Sequence, residues 1–282
     1  MKYVISGGTG FLGRHIAQRL RSGGHAVDVW GREPRFDLLN GAAGIAHLAG
    51  EPVAQRWNEG VKRRIRQSRV QGTRSLVGAI SQMPVKPSVL VSASAIGIYG
   101  DRGDEILTEN SRPGQGFLAD LCQAWEAEAD RAREFGVRVM KLRIGFVLGD
   151  GGALATMVPA FKAFVGGRLG SGKQWMPWIH VDDIEELFAH ALGNDISGVW
   201  NATSPNPVTN AVFTRELAST LHRPALFPVP PFALKLAFGE LAQHMLDSAR
   251  VVPEAALLAG FRFRYPDLRE ALKQTMALKQ TV

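Results

Sequence analysis

MKYVISGGTGFLGRHI, residues 1–16, decides how this chain is read. Lys2 to Ser6 has the apolar run of a short buried strand. Gly7, Gly8, Thr9, Gly10 and Gly13 follow at once, and an amphipathic helix opens near Phe11. The spacing G7-x-x-G10-x-x-G13 is a variant of the dinucleotide fingerprint. One glycine lets the chain turn sharply off the strand. One removes a side chain so that backbone N–H groups can approach a pyrophosphate, and one lets helix and strand pack closely. The helix start adds unpaired N–H groups and a positive dipole end. Gly7, Thr9, Gly10, Phe11, Leu12 and Gly13 are therefore candidate cofactor residues.

Working outward, Ala26 to Trp30 is a second strand, followed by Gly31-Arg32. A carboxylate at this strand end hydrogen-bonds the ribose hydroxyls of NAD, whereas a basic residue suits the 2′-phosphate of NADP. The strand end carries Arg32, and Asp28 lies mid-strand, so NADP is favoured over NAD. Gly44 to Leu48 is the next strand. Its closeness to the second predicts an abbreviated element between Glu33 and Ala43. Ser88 to Ser92 and Val137 to Arg143 are further strands, with a helix over Phe117 to Phe135 between them.

Strands alternating with helices predict an α/β fold, a Rossmann-type doubly wound parallel sheet. Ligands in such sheets lie outside the carboxyl ends of the strands. Leu48, Ala49 and Gly50, then Ser92, Ala93 and Ser94, then Arg143 and Gly145 all fall at such ends. With the glycine turn and Arg32 they predict one shared cleft.

The chain has 282 residues, 45% of them hydrophobic, enough for a large core. Residues 1–150 are expected to form the dinucleotide-binding body, with return segments near 178–203. Residues 151–282 are expected to form a smaller lobe closing the cleft rather than an independent domain. No apolar run has the length of a membrane span, and the first strand leaves no room for a signal peptide. Cys122 is the single cysteine, which fits a reducing, cytoplasmic setting.

The formal charge of +7 favours anionic partners. Much of it lies between Arg56 and Arg74. There Val61, Ile65, Val70 and Leu76 predict a buried helix side, with the basic residues facing water. No aromatic interleaving or nucleic-acid motif accompanies them, so a solvated face is preferred to a nucleic-acid surface. The histidines are scattered, and no metal-ligand cluster is evident.

Beyond Gly151 the expected elements are a helix over Met157 to Phe164 and a glycine-rich loop over Gly166 to Gly172. Trp175 to Val181 is extended, and Asp182-Asp183 caps a helix to about Leu192. A strand over Val199 to Ala202 precedes a helix over Asn210 to Leu221. Helices around Phe232 to Met245, Pro253 to Leu258 and Pro266 to Leu278 close the chain. The stretch from Gly167 to Lys173 mimics the start of a P-loop, but Gln174 replaces the hydroxyl that would hold magnesium. A flexible loop contacting substrate is expected instead, with Lys173 as an anion contact.

GGTGFLG, Leu48-Ala49-Gly50, the IYG ending at Gly100 and WIHVDDI (178–184) occur in an order that resembles the extended short-chain dehydrogenase/reductases, the NAD(P)-dependent epimerase/dehydratase group. AGEPVAQRW (49–57), FLADLCQAWEAEA (117–129) and GGRLGSGKQWMPWIHVDD (166–183) narrow it to an atypical, poorly characterised branch. Some members of that branch carry a cell-division-inhibitor-like label. The likeness covers nearly the whole chain.

The resemblance implies a Ser or Thr, a Tyr-x-x-x-Lys pair and a nicotinamide. Aligned on Glu126, the tyrosine position falls on Leu118 and the lysine position on Cys122. Neither can move a proton as that pair does. Ser94 lies near the family's Ser/Thr position, although counting back from Gly100 lands on Ala95. Tyr99 belongs to the strand-end IYG, and Glu109 either faces the cleft or caps a turn. These three are the candidate catalytic residues. His180, beside Asp182 and Asp183, belongs to a segment that in the family mostly fixes lobe to sheet.

The expected activity is a redox or epimerase step on a small polar substrate, a nucleotide-sugar or a carbonyl compound. The alternative is a non-catalytic NADP(H)-binding sensor. A homo-oligomer stays open.

Overall fold

The computed structural model describes residues 1–278. Its strands are β1 Lys2–Ser6, β2 Ala26–Trp30, β3 Gly44–His47, β4 Val89–Ala95, β5 Ile106–Leu107, β6 Arg138–Ile144, β7 Phe146–Leu148, β8 Trp175–Met176, β9 Trp178–His180, β10 Gly198–Ala202, β11 Val208–Thr209 and β12 Arg250–Val251. The helices are α1 Phe11–Ser22, α2 Glu59–Arg66, α3 Gly72–Gln82, α4 Phe117–Asp130, α5 Gly152–Lys162, α6 Val181–Gly193, α7 Asn210–Thr220, α8 Pro231–Phe238, α9 Leu241–His244, α10 Glu254–Leu258 and α11 Leu268–Leu278.

Six strands form one parallel sheet in the order β10-β6-β4-β3-β1-β2. This is the expected Rossmann-type architecture. β1, β3 and β4 are buried almost throughout, as strands covered by helices on both faces must be. One face packs on α1 and α6 through Ile5, Ile16, Leu20, Val91, Ile184 and Phe188. The other packs on α3 through Val4, Ile45, Leu76, Ile80 and Leu90. The abbreviated element after β2 is a single 3-10 turn, Phe36–Leu39, with Leu39 buried.

A further apolar cluster, built from Leu154, Val158, Phe161, Trp178, Phe213, Leu217 and Leu272, packs α5, β9, α7 and α11 together. Backbone bonds fasten α8–α9 to the body. Trp57 N donates to Phe238 O at 2.9 Å, and Glu240 N donates to Trp57 O at 3.4 Å. Gly239 sits between them at φ +62°, where a Cβ would lie 2.4 Å from Trp57 O.

Three local expectations need correction. The basic run is not one helix with every cation in water. A π-helical turn over Gln67–Gln71 joins α2 to α3 and helps aim Arg69 inward. Its guanidinium lies 5.2 Å from the Trp125 ring, and Nη1 donates to Glu51 O at 3.0 Å.

Helix α6 is capped by His180, not by the aspartates. His180 Nδ1 accepts from Asp182 N at 3.2 Å. Asp183 instead accepts from Arg264 N at 2.6 Å and Tyr265 N at 3.1 Å, tying the last segment to α6.

The glycine-rich stretch from Gly166 is not a free loop. Val229 N donates to Arg168 O and Gly170 N to Val229 O, at 2.8 and 2.9 Å. Asn210 Oδ1 accepts from Leu169 N at 2.8 Å. Satisfying its amides in this way pins the stretch to Val229 and Asn210.

Candidate functional site

The glycine turn runs from the carboxyl end of β1 into α1. Gly7 has φ +71°, and a Cβ there would lie 2.8 Å from Ala49 N. A Cβ on Gly13 would lie 2.3 Å from Gly7 O, so only glycine lets α1 pack against the turn. Gly10 differs. It is exposed, its φ is −78°, and a Cβ would meet only Gly7 O, at 3.2 Å. That contact is tight, but packing resists a side chain there far less than at Gly7 or Gly13.

Gly10 is also the N-cap of α1, with no side-chain cap and no acidic residue in the first turn. The first-turn amides and the dipole end are left for an anion, and a missing side chain clears the approach. These residues fit a dinucleotide pyrophosphate. Phe11 packs its ring against Gly149, Gly151 and Gly152, which fixes the helix start beneath the β7–α5 connection. Leu12 packs on the core edge.

The other strand ends converge on this turn. Gly31 comes so close to Thr9 that a Cβ would lie 2.7 Å from Oγ1. Arg32 follows, exposed, with no hydrogen bond or ion pair among the described residues. Asp28 pairs with Lys2 at 3.1 Å. Ala49 N donates to Ser6 Oγ at 3.4 Å, and Gly50 lies against the Arg69 guanidinium. Beneath them His47 is buried, with Nδ1 2.5 Å from Ser6 Oγ and Nε2 2.9 Å from Thr73 Oγ1. Burial pushes its pKa down to about 4, so it is neutral, and two hydroxyls satisfy either tautomer.

Beyond the turn, strand register sets one buried row. Ser94 faces Arg143 across β4–β6, and Arg143 faces Asn201 across β6–β10. Glu126 of α4 closes the row from above. It accepts Ser94 Oγ at 2.7 Å, and Arg143 Nε and Nη2 at 2.8 and 3.0 Å. Arg143 Nη1 donates to Tyr99 Oη at 2.9 Å. Tyr99 Oη in turn donates to Asn201 Oδ1 at 2.7 Å. Every nitrogen of Arg143 is engaged, so its guanidinium is spent within the buried row. Burial raises the Tyr99 pKa, against the opposing pull of Arg143.

Glu109 has its carboxylate on two backbone amides, Asn201 N at 2.7 Å and Ala255 N at 3.2 Å. It joins β10 to the start of α10. Ser92 Oγ donates to Ala93 O at 3.1 Å within its own strand. Gly145 fits where a Cβ would lie 2.9 Å from Pro177 O.

Leu118 packs against Gly97, and Cys122 is buried. Burial pushes the Cys122 thiol up to about 12, so it stays protonated at neutral pH. His180 is fully buried, and burial pushes its pKa down to about 4.

Three participants were not legible beforehand as site residues. Glu126 served only as an alignment landmark. Asn201 carries no motif. Arg69 had a signal, because the spacing Val61, Ile65, Arg69 puts it on the inward stripe of its helix.

Between lobe and body, a cavity of about 410 Å³ is lined by Asp101, Asp104, Lys173, Gln174 and Ser248, among others. Lys173 thus stands at a cavity wall. Among the described residues no cluster of His, Cys, Asp or Glu is arranged to hold a metal ion, and no helix is long and apolar enough to cross a membrane.

Comparison with known proteins bears on this geometry. Residues 229–275 match a domain of unknown function. An epimerase family protein of Arabidopsis thaliana, a chloroplastic SDR39U1 homolog, is 41% identical over 98% of this chain and 87% of its own. The epimerase family protein YfhF of Bacillus subtilis is 37% identical over the full length of both. A crystal structure of human epimerase family protein SDR39U1 with NADPH superposes with a TM-score of 0.90 at 32% identity, covering 98% of this chain and 99% of that one. Residues 3–202 match the family model described as NAD dependent epimerase/dehydratase, and the chain belongs to that family.

Proposed function

We propose that this protein binds NADP(H) at the glycine turn and acts on a small polar substrate in the cleft between body and lobe. The observation that carries this reading is the exposed Gly10 at an uncapped helix start, where a side chain would meet a single tight contact, Gly7 O at 3.2 Å. Arg32 supports NADP over NAD, since a free guanidinium stands at the β2 end where a 2′-phosphate would lie. The NADPH in the human relative's structure supports the same choice.

The cofactor, when bound, would supply hydride chemistry. The chain's own part is to grip the diphosphate with first-turn amides and to present Ser94, held by Glu126, at the end of β4. The reaction is a redox or epimerase step on a nucleotide-sugar or carbonyl compound, carried out without the Tyr-x-x-x-Lys pair. Ser94 is the first candidate for contact with substrate. Tyr99 and Glu109 would act through the polar row and the β10 end. A reducing, cytoplasmic setting fits the lone, buried Cys122.

A second reading is favoured by Leu118 and the protonated Cys122. A protein that lacks a proton-transfer pair can bind NADP(H) as a sensor. Calorimetry with NADPH and NADH, followed by a panel of sugars and carbonyls read at the nicotinamide absorbance, tests both. NADPH binding with turnover supports the enzyme, and NADPH binding with no turnover supports the sensor. No heat with either dinucleotide overturns both.

A further inference from the structure

Large apolar side chains stand bare on two segments that run side by side. Leu226, Phe227, Phe232 and Leu236 are 75–78% exposed, and Phe164 and Val165 are 59% and 71% exposed. Val229 N donates to Arg168 O at 2.8 Å, Leu169 bridges to Val229, and Gly167 lies against Phe227 O. This pairing lays residues 164–165 beside 226–227. Phe232 and Leu236, one turn apart on α8, carry the apolar surface onward on the side away from the buried Leu234.

Two strained positions mark the same place. Among the described residues only Phe164 and His222 hold a positive φ without being glycine, at +64° and +52°. A bulky side chain is strained in that region, and glycine would avoid the strain. Phe164 nevertheless keeps its ring largely in water, where it returns little to the fold. The guanidinium of Arg223, the residue after His222, lies 5.2 Å from that ring.

The charge beside these rings has one sign. Residues 159–181 and 217–239 contain no Asp or Glu. Lys162, Arg168 and Arg223 are exposed and make no ion pair among the described residues. At the far end of α8 Lys62 is shared by Glu59 and Glu240, which offset Lys235. The surplus therefore rests on the other three cations, beside Phe164 and Phe227.

We infer that this surface docks on a lipid bilayer with anionic headgroups. The Phe and Leu side chains enter the acyl boundary, and Lys162, Arg168 and Arg223 meet phosphates at the headgroup level. A second copy of the chain fits worse, because a two-fold contact would set the same cations against each other. Contact is peripheral, since no helix among the described residues is long and apolar enough to cross a membrane. Docking does not depend on the function proposed above.

The test is co-sedimentation of the full chain with vesicles of phosphatidylcholine alone, and of phosphatidylcholine and phosphatidylglycerol in equal parts. Binding to the anionic vesicles is expected, at least tenfold stronger than to the neutral ones and weakened by salt. Phe164→Gly with Phe227→Ser leaves the charge untouched and should weaken binding at least tenfold, with the thermal midpoint unchanged. Arg168→Gln with Arg223→Gln should weaken it several-fold. Arg63→Gln with Arg66→Gln removes the same charge from α2 and should not. No association with the anionic vesicles, or equal association of the parent and the phenylalanine pair, overturns the inference. A dimer that the phenylalanine pair dissolves, in a chain that ignores vesicles, makes the patch a self-association surface and overturns it too.

Discussion

The Arg143 guanidinium meets the Glu126 carboxylate at two points, Nε on Oε1 at 2.8 Å and Nη2 on Oε2 at 3.0 Å. Both side chains are about nine-tenths buried, 10% and 8% exposed. Removing one partner strands the other charge out of water, which costs about 3–5 kcal/mol. Glu126→Ala should therefore unfold at markedly lower urea concentration. Glu126→Gln, which keeps one acceptor oxygen, should lose less. Equal midpoints for parent and Glu126→Ala would show that the pair contributes nothing.

The glycine turn predicts a contrast between neighbours. Gly13→Ala forces a Cβ to within 2.3 Å of Gly7 O and should destabilise the fold by about 1–3 kcal/mol. Gly10→Ala has an ordinary φ and one tight contact, Gly7 O at 3.2 Å, so thermal unfolding should move much less than for Gly13→Ala. Its NADPH affinity should nevertheless fall at least tenfold, measured by calorimetry.

Arg32 should set cofactor choice. Arg32→Glu replaces a free cation with a carboxylate suited to ribose hydroxyls. The ratio of NADPH to NADH dissociation constants should shift toward NADH by at least tenfold, with stability unchanged.

His47 makes stability depend on pH in a defined direction. Its folded pKa is about 4 against an ordinary 6.5. Above 6.5 the residue is neutral in both states. Between 6.5 and 4 the unfolded chain takes up a proton that the folded chain refuses, so stability falls as pH falls. Relative to pH 7, this group should cost about 2 kcal/mol at pH 5. His47→Gln removes that slope. Urea titrations at both pH values should show the gap between parent and variant shrinking on acidification.

Cys122 should be inert. With its thiol held protonated in an apolar cluster, it should resist a disulfide reagent at pH 8 in the native protein and react fully in urea. Rapid native labelling would contradict the burial.

Much of the frame was legible because it is written locally. Strand, glycines and helix start lie within sixteen residues, and each leaves its own trace in the sequence. The position of Arg32 at the end of β2 was readable for the same reason. What escaped depends on contacts made at a distance. Glu109 looks like a turn residue until β10 and α10 bring two amides to it from 92 and 146 residues away. Arg143 was expected at the cofactor, but Glu126, seventeen residues earlier, claims its guanidinium. The His180 cap was hidden behind two aspartates, which are commoner at helix starts. Arg69 lies on the inward spacing of Val61 and Ile65, but it stands in a run of cations that reads as a solvated face, and that hid it.

The union of Trp57 with the stretch around Gly239 is made by main-chain atoms. Amides and carbonyls are the same whatever side chains flank them, so this seam tolerates change almost everywhere except at position 239, where a methyl group would strike a carbonyl. Helices α8 and α9 can therefore exchange their exposed side chains without that stretch coming adrift. The fastening of this segment and the chemistry of its outer surface are thus set by different atoms.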